Sequence, residues 1–239
     1  MRAMDLPYEA SLAPLPPLLL RPPPLNCISK QTTNLNPPTV NPTPNFIRMA
    51  EVIAINTQYV GIGAGGSVPM LARVSFIDYR GHVVYDKFVI PSQPGKFNPN
   101  VRVSHQTNPQ HFSGPDAVSF SDAQAMAAHL LRGRIVVGHS LWLDLQVLGV
   151  SHPACDTRDV GLYLPFRSAL KTPNQVIGLQ TLVWQLMRRK IQEAHHNPVE
   201  NARAAMDLFR SHEADWQKTI ATGQWPCALP PSSYSRCYL

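Results

Sequence analysis

The stretch Glu51-Val52-Ile53-Ala54-Ile55-Asn56-Thr57-Gln58-Tyr59-Val60-Gly61 marks an abrupt change in the character of the chain. Its apolar run, Val52 to Ile55, predicts a buried strand with Asn56 and Gln58 at a polar exit. Met70 to Tyr79 and Val83 to Ile90 read as two further strands, with Arg80-Gly81 as the turn between them. After a polar stretch from Pro91 to Phe120, Ser121 and Gln124 supply a capping box for a helix. Met126, Ala127, Leu130 and Leu131 form its apolar face, and it ends at Gly133. Ile135 to Gly138 predicts a short buried strand, followed by a helix from about Leu141 to Leu148. Leu179 to Arg189 has helical periodicity. Asn197-Pro198-Val199-Glu200 combines a cap, a proline at the first helical position and an early acid, opening a last helix that runs to about Lys218. The order β-β-β-α-β-α followed by helices predicts an α/β fold, a mixed sheet flanked by helices.

Outward from this region the composition shifts. Eleven of the 24 prolines lie before Phe46, a density that removes backbone donors and fixes φ, so residues 1–46 are expected to form a disordered or polyproline-like arm. Leu15 to Leu25 is apolar, but its prolines break the helix of a signal peptide, and Asp5 and Glu9 spoil a basic leader; secretion is not expected. Residues 51–218 make the folded domain, and 219–239 are expected to be a loose C-terminal tail. No run approaches the roughly 18 apolar residues a membrane helix needs, so no membrane partner is expected. Cys27, Cys155, Cys227 and Cys237 are scattered without ligand spacing, which argues against a disulfide framework or a zinc site and for an intracellular, reducing setting, nuclear or cytoplasmic. The net charge of +6, from 21 Lys and Arg against 15 Asp and Glu, is compatible with a nucleic-acid partner. Arg188-Arg189-Lys190, the one contiguous basic run, reads first as a solvated helix face.

Five collinear segments carry a resemblance: Ile53 to Gly61, Ala72 to Ser75, Val84 to Val89, Gly138-His139-Ser140 with Asp144, and His196 followed by Ala202 to Met206. From about Glu51 to Trp216 the chain resembles the DEDDh 3′–5′ exonucleases, in the branch of RNA exonuclease 4 and the interferon-stimulated exonucleases. The resemblance implies a ribonuclease H-like fold and a site in which four carboxylates hold two Mg²⁺ ions and a histidine acts as general base. Hard divalent cations need several carboxylate oxygens close together. Carried onto this sequence, the strand pair of acids falls on Asn56 and Gln58, the third on Asp144, the general base on His196 and the fourth acid on Asn201.

Three of the four implied carboxylates are therefore amides, nearly isosteric but uncharged. An amide oxygen without net charge offsets poorly the reluctance of Mg²⁺ to shed water. The expectation is a degenerate exonuclease-like domain with no cofactor, or Mg or Mn if any activity persists, that retains RNA binding or a scaffold role. RNA is favoured over DNA by the resemblance. The amides fit a natural pseudo-nuclease or an engineered inactive form, and an active Mg- or Mn-dependent 3′–5′ RNA exonuclease stays as an alternative.

Arg73, Lys87, Arg102, His105, Arg167 and Lys171 are the candidate contacts for a phosphate backbone, with Phe166 and Trp142 as candidate stacking groups. Asp156, Asp159 and Glu200 fall near the expected pocket without matching a family position. A third alternative is a protein-interaction module, with Leu15-Pro16-Pro17 and Arg21-Pro22-Pro23-Pro24 of the arm docking a polyproline-reading groove.

Overall fold

The computed structural model describes residues 51–62, 67–90, 112, 114, 116–193 and 196–239. The proline-rich arm, together with Arg102 and His105, lies outside the described residues.

Three strands open the fold: β1 (Val52–Ile62), β2 (Val68–Asp78) and β3 (Val83–Val89). They are followed by β4 (Ala117–Val118), α1 (Phe120–Leu131), β5 (Ile135–Gly138), α2 (Leu141–Leu148) and β6 (Thr157–Asp159). Helices α3 (Leu164–Ala169), α4 (Leu179–Met187) and α5 (Pro198–Ala221) complete it, with short 3₁₀ turns at Ala154–Asp156 and Ser232–Cys237. The strands form one mixed sheet in the order β4-β3-β2-β1-β5-β6. β1 runs antiparallel to β2 and parallel to β5, so it lies inside the sheet with helices on both faces.

That position explains the unbroken apolar run. Successive side chains of a strand point to opposite faces. Val52 and Ala54 enter a core with α4 and α5, whereas Ile53 and Ile55 enter one with α1 and α2. The same alternation continues into the polar residues, sending Asn56 and Gln58 toward α5 and Thr57 toward α2. The strand does not stop at Ile55, because its polar continuation is bonded to those helices.

The start of α1 differs from expectation. Its cap is Ser119, whose Oγ accepts from the Asp122 backbone N–H at 3.1 Å, and not the Ser121–Gln124 box. Shifting the start moves the buried face to Ala123, Ala127, Leu130 and Leu131, leaving Met126 39% exposed. Gln124 instead donates from Nε2 to the Leu148 carbonyl at 2.8 Å, tying α1 to α2. The cap of α5 is as expected: Asn197 Oδ1 accepts from Val199 N–H, with Pro198 at the first position.

The C-terminal segment is not a loose tail. α5 runs to Ala221, and beyond it Cys227 and Cys237 are buried. Ala228 N–H donates to the Leu162 carbonyl at 2.8 Å, and Leu239 N–H to the His152 carbonyl at 3.1 Å. The Tyr234 ring lies 6.4 Å from that of Trp142. Leu229 and Leu239 stay exposed, and it is the two cysteines, with Tyr234 and the backbone bonds, that tie the segment to α2, α3 and the loop after α2. Cys227 and Cys237 are free thiols. Among the described residues no helix is long and apolar enough to cross a membrane.

Candidate functional site

β1 and the N-terminal end of α5 bring Asn56, Gln58, Asn201 and the His196 backbone together, while Asp144 on α2 meets the same strand at Thr57, on the other side of β1. Asn201 donates from Nδ2 to Asn56 Oδ1 at 3.1 Å, and its own Oδ1 accepts from Gln192 Nε2 at 2.8 Å. Gln58 donates from Nε2 to the His196 carbonyl at 2.7 Å. Gln58 and Asn201 are both buried. The amides thus form a chain of donors and acceptors. Whichever way each amide is turned, one member of the Asn56–Asn201 pair must donate, which a carboxylate lacking a proton cannot do. His196 enters the site through its backbone; its side chain is exposed. Glu200, one residue from Asn201, accepts from the Gln192 backbone N–H at 3.0 Å, so both ends of Gln192 are fixed to the start of α5.

Asp144 is the one carboxylate among the positions carried over from the resemblance. Its Oδ1 accepts from both the backbone N–H and the hydroxyl of Thr57, at 2.8 and 2.7 Å, while Oδ2 is buried without a partner. Burial is the largest influence on this carboxyl and pushes it up to about 7; the two Thr57 donors pull against that shift, and Asp159 adds to it. Near neutral pH the group is therefore part protonated, the neutral acid avoiding much of the cost of a buried, half-solvated charge.

Asp159 is a structural residue that the sequence left on the periphery. Its Oδ2 accepts from Leu141 N–H at 2.8 Å and its Oδ1 from Ser140 and Gly161 N–H at 3.1 and 2.9 Å. The side chain caps α2 from the next strand and so sets where α2 presents Asp144. Burial raises the Asp159 carboxyl, opposed by His139 and by these three donors. Its two partners on α2 lie 18 and 19 positions back along the chain, so the sequence near Asp159 does not show that it caps that helix. Asp156, by contrast, sits in a 3₁₀ turn and bonds its backbone N–H to Pro153.

The donor set does not fit a pair of Mg²⁺ ions. One Asp144 oxygen is engaged by Thr57, and the Asn56 and Asn201 oxygens already accept from Asn201 and Gln192. Among the described residues no group of three His, Cys, Asp or Glu is placed to hold a metal.

The expected RNA contacts separate into three kinds. Arg73 is clamped by Asp86 through two bonds of 2.8 and 2.7 Å and lies over the Phe88 ring; Lys87 reaches the exposed Asp116 at 3.1 Å. Lys171 is exposed, at a left-handed turn with φ +57°. Arg167 does not reach solvent: it is buried and donates from Nε to the Gly161 carbonyl at 2.9 Å, bracing the loop that follows β6. Phe166 and Trp142 are likewise core residues, with Phe166 4.8 Å from Tyr163 edge to face, and neither can stack on a base.

No protein-family model matches the chain. It is 40% identical over 189 residues to RNA exonuclease 4 of Debaryomyces hansenii, covering 77% of this chain and 66% of that protein. It is 38% identical over 182 residues to the human apoptosis-enhancing nuclease, covering 74% of this chain and 54% of that one. The chain thus spans less than two thirds of these relatives' own length. Among solved structures, the catalytic unit of Neurospora crassa Pan2, with its protease and nuclease domains, superposes with a TM-score of 0.59 at 24% identity, covering 79% of this chain and 30% of that one. This last likeness shows the fold, the ribonuclease H-like mixed sheet flanked by helices.

Proposed function

Because the chain belongs to the exonuclease family of RNA exonuclease 4 and the apoptosis-enhancing nuclease, we propose that it is a 3′–5′ exonuclease-like domain that binds RNA without hydrolysing it. The observation that carries this reading is the hydrogen bond from Asn201 to Asn56 at 3.1 Å. At the positions where the family resemblance implies two carboxylates bridged by cations, a donor meets an acceptor, and the contact is complete without an ion. Three amides and one buried, partly protonated acid supply at most one negative charge. That is too little to strip Mg²⁺ of its water and hold it against its preference for hydration.

The same substitutions favour retained binding. Three more carboxylates would take the net charge from +6 to +3, so their absence makes the domain less repulsive to a phosphate backbone. The amides keep hydrogen-bonding groups where the end of a strand would enter. The alternative of a surviving Mg- or Mn-dependent exonuclease is disfavoured by the donor set, because Asp144 and His196 alone make a weak ligand pair.

The test is titration calorimetry of Mg²⁺ and Mn²⁺ into the protein and into the triple variant Asn56→Asp/Gln58→Glu/Asn201→Asp, beside degradation of a 3′-labelled RNA. The expected result is no metal-binding heat and no shortening for the natural sequence, with both gained by the variant. Shortening by the natural sequence that Asp144→Ala abolishes would overturn the proposal.

A further inference from the structure

At the turn after β2, away from the amide pocket, the structure gathers the arginines that the sequence scattered. Arg203, Asp207 and Arg210 recur at helical spacing on one exposed side of α5. Arg210 lies over the Tyr79 ring at 5.3 Å, and Arg203 donates to the Gly81 carbonyl at 2.9 Å, so both hold the β2–β3 turn that carries the exposed Arg80. From the other side comes the basic run that ends α4. Arg188 takes the left-handed cap position at φ +53°, and Arg189 reaches Asp207 at 2.6 Å. Asp207 also meets Arg210 at 3.6 Å. One carboxylate thus orders two guanidiniums without neutralising both, while the ion pairs of the described residues give Arg188 and Arg203 no carboxylate at all. Beside Arg210 is an open depression of about 420 Å³ lined by Tyr79, Met187, Asp207, Arg210 and Ser211, with the Tyr79 hydroxyl donating to Glu213.

We propose that this depression, with the arginines of α5 and of the α4 end around it, is a second RNA-contact surface, taking a single-stranded segment with its phosphates on Arg189, Arg203 and Arg210 and a base against Met187 and the edge of Tyr79. The inference rests on the RNA-binding reading above and adds a place to it. Three features select a nucleic acid over an acidic peptide. Guanidinium forks match phosphate oxygens in pairs. Their spread over the α4 end, α5 and the β2–β3 turn makes a track instead of a single point. The depression offers the Met187 thioether and the edge of the Tyr79 ring, whose face lies under Arg210, an apolar surface that bases use and carboxylate side chains do not. Arg210 lies nine residues beyond Asn201, about 13 Å along the axis of α5. The surface is therefore close enough for one strand to touch both it and the pocket, but it is built from different side chains.

The test measures binding of a fluorescein-labelled oligouridine to the full chain across a salt series. The compared proteins are the natural sequence, Arg189→Gln/Arg203→Gln/Arg210→Gln, and a charge-matched control, Arg132→Gln/Lys218→Gln/Arg236→Gln. Single-stranded contacts contribute about 0.7 each to the log–log salt slope, so losing three phosphate contacts should flatten it by about 2 while the control changes it little. Ser211→Glu, which adds a charge at the rim and breaks no ion pair, should weaken binding at low salt and covers the case in which the triple variant fails to fold. Equal flattening in the control, or unchanged slopes in the triple variant and with Ser211→Glu, overturns the surface while leaving RNA binding in place. Displacement of the RNA by polyglutamate as readily as by unlabelled RNA overturns it in favour of an acidic protein partner. No binding by the natural sequence overturns the RNA-binding reading as well.

Discussion

Asn201 on α5 and Asn56 on β1, separated by 145 positions in sequence, meet amide to amide at 3.1 Å. The contact joins the last helix to the inner strand of the sheet at the place where the family resemblance implies that metal ions do the joining. An amide pair is self-sufficient there, whereas a pair of carboxylates needs a cation or a shared proton between them. The site is therefore held by ordinary protein hydrogen bonds, extended through Gln192 to the loop before α5.

Replacing that pair by Asn56→Asp/Asn201→Asp should convert a satisfied contact into facing charges in a mostly buried setting. We expect a loss of about 1–3 kcal/mol in metal-free buffer, the usual cost of breaking a buried polar contact. Mn²⁺ should restore part of it, because a cation can now bridge the pair. Thermal denaturation with chelator and with Mn²⁺ reads both effects. An unchanged midpoint in chelator would mean that the amide contact contributes nothing to holding α5 against β1.

Asp144 sets a pH dependence whose sign follows from its raised pKa, about 7 against an ordinary carboxyl value of 3.8. Between those two values the folded state binds a proton that the unfolded state has released. This group therefore favours folding most below about pH 4, and its contribution is lost as pH rises to about 7 and stays lost above. Asp144→Asn keeps an oxygen for the two Thr57 donors and removes the titration. The variant should melt several degrees above the natural sequence at pH 8, with the gap closing toward pH 5. A gap independent of pH would show that Asp144 stays charged in the folded protein.

The parts of this architecture that follow from local chemistry are visible in the sequence. The run Val52 to Ile55 is legible because a strand with helices on both faces needs apolar residues at every position. The Asn197-Pro198 start of α5 is legible because a cap is a short-range bond. The start of α1 is misread because Ser119 and Ser121 are both capable caps, and only the approach of the Asp122 N–H to Ser119 decides between them. Asp159 and Gln192 are invisible for another reason: each bonds to groups that only the folded chain brings near, the N-terminus of α2 and the first turn of α5. Arg167, Phe166 and Trp142 have the composition of an RNA-binding surface and the burial of a core, and composition does not distinguish the two.

Arg167 yields a prediction that separates these roles. Its Nε–H to the Gly161 carbonyl is buried, so Arg167→Ala leaves that oxygen unpaired and removes packing around the loop after β6. The expected cost is about 2–3 kcal/mol of stability, seen in chemical denaturation, with RNA affinity unchanged in the protein that remains folded. Lys171→Ala should do neither harm to stability nor more than a modest shift in salt dependence, since Lys171 is exposed. A large affinity loss for Arg167→Ala at intact stability would place its guanidinium in contact with RNA after all.

Removing residues 225–239 should destabilise the domain and not merely shorten it. The segment buries Cys227 and Cys237, sets Tyr234 against Trp142 and pairs its backbone with Leu162 and His152. Trp142 stands two positions before Asp144 on α2, so uncovering its ring loosens the helix that carries the buried acid. Burying one large apolar side chain is worth about 1.5–3 kcal/mol, and several are uncovered together, so the truncated chain is expected to lose a large share of its cooperative unfolding transition. Calorimetry of the truncated and full chains reads this directly. A truncated chain with the same midpoint and enthalpy as the full one would show that the segment lies on the fold without contributing to it.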